Sequence, residues 1–228
     1  MTEQQYFEAQ RQLFESLALG VASAAIVPLR ASYTNAARCL TVVHLLDEQL
    51  AGLISQDIIA PLRKTEGHHH WYPAHDLHLT LKNIRSAKPN RVYIAEEIKR
   101  AVSALERVTH AIEPLTFSIH GPVCFPTSVI LRAFGTLKHR EAVRLLDREL
   151  ELAGIPDDKG YASNEVFIGN IALCRFTAAP TAAFRQAVLA HEGLFLGMYK
   201  PRTMQLVECD EVCSSGSRVI HASLQIGP

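Results

Sequence analysis

A histidine, a hydroxyl and an ammonium alternate with leucines in Leu77-His78-Leu79-Thr80-Leu81-Lys82. A period of two is strand patterning. It sets Leu77, Leu79 and Leu81 on one face and His78, Thr80 and Lys82 on the other. Histidine moves protons near neutral pH, threonine donates a hydrogen bond and lysine adds positive charge. Together they suit a cleft that handles an anion. An ordinary wet strand face carries the same pattern, because antiparallel sheets commonly leave one face in water. A second triplet, His221-Ala222-Ser223, repeats the histidine-hydroxyl spacing near the C-terminus, with Ile220, Ala222, Leu224 and Ile226 on the other face.

The elements that would position these residues come in order along the chain. Residues 3 to about 25 read as a helix with Tyr6, Leu13 and Leu17 on one stripe, stopped by Pro28, so residues 1–30 form a helical extension before a domain of residues 31–228. Cys39 to Leu46 reads as a buried strand, and Asp47 caps a helix bearing Leu50, Leu53, Ile54 and Ile58 that Pro61 disturbs. Gly67 to Pro73 holds three consecutive histidines. Neighbouring side chains point apart in an extended chain, so this stretch reads as a solvated loop and no metal is expected there. Trp71 and Tyr72 either stack on a base or fill a gap beneath the loop. Pro89 is expected to open a helix with Ile94, Ile98, Val102 and Leu105 on one face, and Gly121-Pro122 to turn the chain after a strand over 115–120. A strand over 128–134, a helix carrying Val143, Leu146 and Leu150 and closed by Gly154, a strand over 166–176, a helix over 180–192 and strands over 203–209 and 218–226 complete the chain. This order repeats one unit. It predicts an α+β fold of two pseudo-symmetric lobes, each a mostly antiparallel sheet with outer helices, around a central cleft.

Composition narrows the function. Lys+Arg and Asp+Glu are both 23, so net charge is zero and a DNA-coating or membrane-surface role lacks its basic excess. Five scattered cysteines and a polar N-terminus read as reduced thiols in the cytoplasm, and Cys209-x-x-x-Cys213 has no second pair to make a metal set. The apolar run Leu17 to Leu29 is 13 residues, too short to span a bilayer. No cofactor is called for.

Three stretches carry a family resemblance. Leu77-His78-Leu79-Thr80-Leu81-Lys82-Asn83-Ile84 resembles the first His-x-Thr strand of the 2H phosphoesterase superfamily, which includes bacterial RNA 2',3'-cyclic phosphodiesterases once called 2'-5' RNA ligases. Phe117 to Pro126 resembles the strand and turn opening that family's second lobe, and Gly169-Asn170-Ile171-Ala172-Leu173-Cys174-Arg175 resembles the strand bearing its second motif. In this chain the second histidine falls on Asn170 and its threonine on Ala172. His221 lies 143 residues beyond His78, whereas Asn170 lies 92 beyond, close to one repeat. Either His221 supplies the missing histidine from a neighbouring strand, or the site is half degenerate.

The resemblance implies His78, Thr80 and His221 as catalytic groups, with Ser223, Asn170, Lys82 and Tyr72 toward substrate. The implied reaction is metal-free general acid/base hydrolysis of a 2',3'-cyclic or 2'-linked phosphate on an RNA end or small nucleotide. The alternative is a catalytically impaired protein of this fold that binds a nucleotide or phosphorylated metabolite.

Overall fold

The computed structural model describes residues 1–23, 26, 28–29, 37–158, 160 and 162–227; the expected boundary at residues 30–31 lies outside them. Among the described residues, apolar alternation builds nine strands: β1 (Ala37–Leu45), β2 (His70–Trp71), β3 (His78–Pro89), β4 (Phe117–Phe125), β5 (Ser128–Gly135), β6 (Gly169–Arg175), β7 (Phe195–Tyr199), β8 (Thr203–Cys209) and β9 (Val219–Gln225). The helices are α1 (Glu3–Ser23), α2 (Glu48–Ile54), α3 (Ala60–Thr65), α4 (Ala95–Ala111), α5 (Leu137–Leu152) and α6 (Ala182–Ala190).

All strand pairs are antiparallel and form one sheet in the order β7-β4-β5-β6-β3-β1-β8-β9, with β2 added to β6. The two expected lobes are its halves, β9-β8-β1-β3 and β7-β4-β5-β6, and they join where β3 meets β6. Residues 200–202 alone join β7 to β8. Such a link spans at most about 14 Å. Six strand positions separate β7 from β8, about 29 Å in a flat sheet. The sheet must therefore curl, and the Tyr199 hydroxyl reaches His44 Nε2 at 2.7 Å.

One face carries the main core. Leu40, Val42, Leu79, Leu131, Ile171 and Leu206 pack there against apolar residues of α2 to α6. The other face meets α1, whose Phe14 packs with Ile130 and Phe134, with Phe7, Ile168 and Ala172 around them.

Asp47 caps α2 as expected, its carboxylate accepting from Leu50 N at 2.9 Å. Pro61 disturbs this helix as expected: the run widens into a π-helical turn over Ser55–Ile59 just before it, and Pro61 stands in the first turn of α3. Other local expectations are corrected. Pro89 ends β3 rather than opening a helix; Asn90 takes φ 57° in the turn and α4 starts at Ala95. Gly121-Pro122 is an irregularity inside β4, with pairing to β5 running on to Phe125. Strand β7 is not predicted from the sequence: Phe195 and Met198 are exposed, so it shows little apolar alternation.

Candidate functional site

The three-residue 3₁₀ turn Ala74–Asp76 delivers the chain into β3 and aims the Asp76 carbonyl at the first strand residue. His78 Nδ1 lies 2.8 Å from that carbonyl oxygen. A carbonyl only accepts, so Nδ1 carries the proton and the neutral ring keeps its lone pair on Nε2. No described residue hydrogen-bonds Nε2. The ring is 8% exposed, with Tyr72 set edge-on at 6.0 Å between centroids. Burial pushes the His78 pKa below its usual value, and the nearby Arg218 adds to this, against the Asp76 hydrogen bond. Arg218 is itself held 3.3 Å from the Asp76 carboxylate. Neutral imidazole with a fixed tautomer is the form of a general base.

Thr80, two residues on, sits directly opposite Asn170 across the β3–β6 pair, as Leu79 does opposite Ile171. The motif strand and its expected counterpart are thus neighbours. Directly opposed residues share a sheet face. Tracing them outward gives one row: Ser223, Gln205, Val43, Thr80, Asn170, Arg132, His120, Phe195. At its middle lies a cavity of about 200 Å³ lined by Thr80, Lys82 and Asn83 of β3, by Asn170, by Leu13 and Leu17 of α1, and by residues 166–168. This is below the roughly 300–1,000 Å³ of whole-ligand pockets and nearer the scale of a phosphate group. A larger space of about 650 Å³ lies beyond Phe14 and Ala18, bordered by Arg132, Cys124 and Arg185.

Two sequence-predicted residues, His221 and Ser223, stand apart from Thr80, whereas Lys82 borders the same cavity with its ammonium taken up by carboxylates. Lys82 stands opposite Val42, whereas Thr80 stands opposite Val43, so Leu81 is an extra residue in β3. This bulge breaks the alternation and puts Lys82 on the face of the core residue Val42. There the ammonium pairs with Asp147 of α5 and with Asp157. His221 lies at another bulge on the edge strand β9 and pairs with Glu208 at 3.1 Å. Ser223 shares the row of Thr80 but stands three strands away, about 14 Å. Tyr72 is buried, with its ring edge-on to that of His78.

Sequence reasoning missed Arg132, next to Asn170 in the row, and the α1 residues Leu13 and Leu17 that close over it. Only the pairing register shows them. The histidine run also departs from expectation. Residues 67–69 turn rather than extend, so His68 and His69 converge on Glu66 while His70 starts β2.

No protein-family model matches the chain, and no curated protein matches it in sequence. Solved structures do. Protein TT0787 of Thermus thermophilus superposes with a TM-score of 0.58 at 18% identity, covering 82% of this chain and 97% of that one. A structure described as a phosphoesterase gives 0.56 at 15% identity, covering 84% and 99%. LigT of E. coli, solved in complex with ATP, gives 0.56 at 14% identity, covering 84% and 99%. The chain has the fold of these proteins, the 2H phosphoesterase fold. Among the described residues, no helix is long and apolar enough to cross a membrane.

Proposed function

We propose that this chain is a phosphoesterase that binds a nucleotide phosphate between β3 and β6 and uses His78 as its one proton-transfer group. The observation that carries the reading is the pairing of Thr80 with Asn170 beside a histidine whose tautomer is fixed. The Thr80 hydroxyl and the Asn170 amide donate to non-bridging phosphate oxygens, where transition-state charge collects. His78 Nε2 takes the proton of the attacking water, a role that needs no metal. The expected substrate is a 2',3'-cyclic or 2'-linked phosphate on an RNA end or small nucleotide. LigT structures holding ATP and 3'-AMP, in the same fold, support a nucleotide ligand.

A second reading has its own observation. Asn170 cannot titrate, and His221 is committed to Glu208 on the edge strand, so neither of the two expected candidates offers an acid to the leaving oxygen. Lacking the acid typically costs about 10²–10⁴ in rate. At the upper end of that loss the protein is a nucleotide binder. Hydrolysis of 2',3'-cyclic AMP, measured beside calorimetric binding of 3'-AMP, separates the two. Turnover abolished by His78→Ala, with 3'-AMP still bound, supports the enzyme. Binding without turnover supports the binder. A protein that neither binds nor turns over either nucleotide would sink both.

A further inference from the structure

Away from His78, the turn after α3 gathers three ligating side chains. Glu66 Oε1 lies 3.4 Å from His68 Nε2 and 3.5 Å from His69 Nε2, and all three ligand atoms fall within 4.8 Å of one another. The carboxylate is oriented from behind, since the Thr181 N–H and hydroxyl donate to Oε2 at 3.1 and 2.8 Å. Glu66 is 7% exposed and His69 4%. Yet Glu66 Oε1 and His69 Nε2 have no hydrogen-bond partner among the described residues. A buried carboxylate oxygen left bare is unfavourable unless a cation or donor meets it.

We propose that Glu66, His68 and His69 bind a divalent cation of the zinc class. Ligand atoms about 2.0–2.2 Å from a tetrahedral ion stand about 3.4 Å apart, which matches both carboxylate–imidazole separations. The set of two imidazoles and a carboxylate is one that zinc accepts. The His69 ring is held between Phe176 and Phe184, at 5.0 and 5.5 Å between centroids. His68 is half exposed, so the fourth position opens to water. Binding has one local cost. An ion on Nε2 puts the proton of His69 on Nδ1, which then gives up the long 3.4 Å bond from Thr177 N. Because Thr181 caps α6 and Phe184 lies within it, the ion would tie the 66–69 turn to that helix.

The test titrates metal-stripped full-length protein with Co²⁺, followed by Zn²⁺ displacement. The expected result is one Co²⁺ per chain, with ligand-field absorption, no thiolate charge-transfer band and a higher Tm with Zn²⁺. Glu66→Gln should lower affinity at least 100-fold. His68→Ala should do the same, and its half-exposed side chain makes this variant the safer one to fold. His70→Ala should bind as the parent does. A thiolate band would assign the ion to the cysteines and overturn the proposal. So would binding no tighter than millimolar, or full affinity in His68→Ala.

Discussion

Thr80 and Asn170 stand directly opposite each other across the central strand pair, one from each half of the sheet. Under the proposed function, His78, two residues before Thr80, and the side chain at position 170 would meet one phosphate. The position where the resemblance expects a second histidine is thus the direct cross-strand neighbour of Thr80, and it carries an amide. Asn170→His is expected to raise 2',3'-cyclic AMP turnover by about 10² or more, since it returns a titratable group to that position. Steady-state kinetics check this. An unchanged rate in a variant that still binds 3'-AMP would remove Asn170 from the site.

The acid limb of the pH–rate profile should report His78. Its pKa is lowered by burial, so the base stays neutral as pH falls to its usual value near 6.5. The limb of kcat/KM is expected below pH 6.5. A limb centred above pH 7 would mean that another group supplies the base.

Lys82 separates the alternation expected from sequence from the bulged strand. Its ammonium is buried against Asp147 and Asp157, and burial raises the Asp147 pKa. Breaking a buried pair leaves charge uncompensated, so Lys82→Ala should cost about 3 kcal/mol of stability. The affinity of 3'-AMP should change less than threefold in protein that remains folded. A large loss of affinity at unchanged Tm would place the ammonium at the phosphate instead.

His139 of α5 predicts an acid-sensitive fold. It is fully buried beside Phe117, neither ring nitrogen has a partner among the described residues, and burial lowers its pKa to about 4. Its folded pKa is below its unfolded one, so between about 4 and 6.5 the unfolded chain binds more protons. Stability is then lost as pH falls through that window, by about 3 kcal/mol in total. Urea melts at pH 7 and pH 4.5 should show a smaller difference in His139→Leu than in the parent. An equal difference would refute the assignment.

Gly121 is a packing constraint. A Cβ there would lie 2.1 Å from the His191 carbonyl oxygen, and the Gly121 N–H donates to the Leu194 carbonyl at 2.8 Å. Gly121→Ala should destabilise by about 3 kcal/mol, because the opposing atom is backbone and cannot swing aside. A Tm within a degree of the parent would show that the two segments part easily.

The strand bearing His78 and Thr80 was legible because its alternation is local, and Asn170 was legible from the resemblance of Gly169–Arg175 to the second motif strand, with a spacing from His78 close to one repeat. What was not legible depends on partners. The bulge at Leu81 arises from how β3 registers with β1, and nothing in the stretch from Leu77 to Lys82 itself announces it. His221 has the right letters but sits on β9, and only the strand order reveals the separation. Proline misled twice, at Pro89 and Pro122, because its lack of an N–H marks turns, strand ends and bulges alike. The histidine run misled because divergence of neighbours holds for extended chain, whereas residues 67–69 form a turn.

The packing of α1 has a consequence for the order in which the chain can fold during synthesis. Its first anchors are late in sequence: the Tyr6 hydroxyl donates to the Phe167 carbonyl at 3.1 Å and accepts from Phe167 N at 3.2 Å, and Gln10 bonds both backbone groups of Gly135. The helix is therefore made well before the residues it docks on. Until then Phe7 and Phe14 lack the surface they pack on, and a helix in a protein draws most of its stability from such packing. Until α1 docks, its aromatic face stays open to other chains, a vulnerability to aggregation that the finished fold conceals.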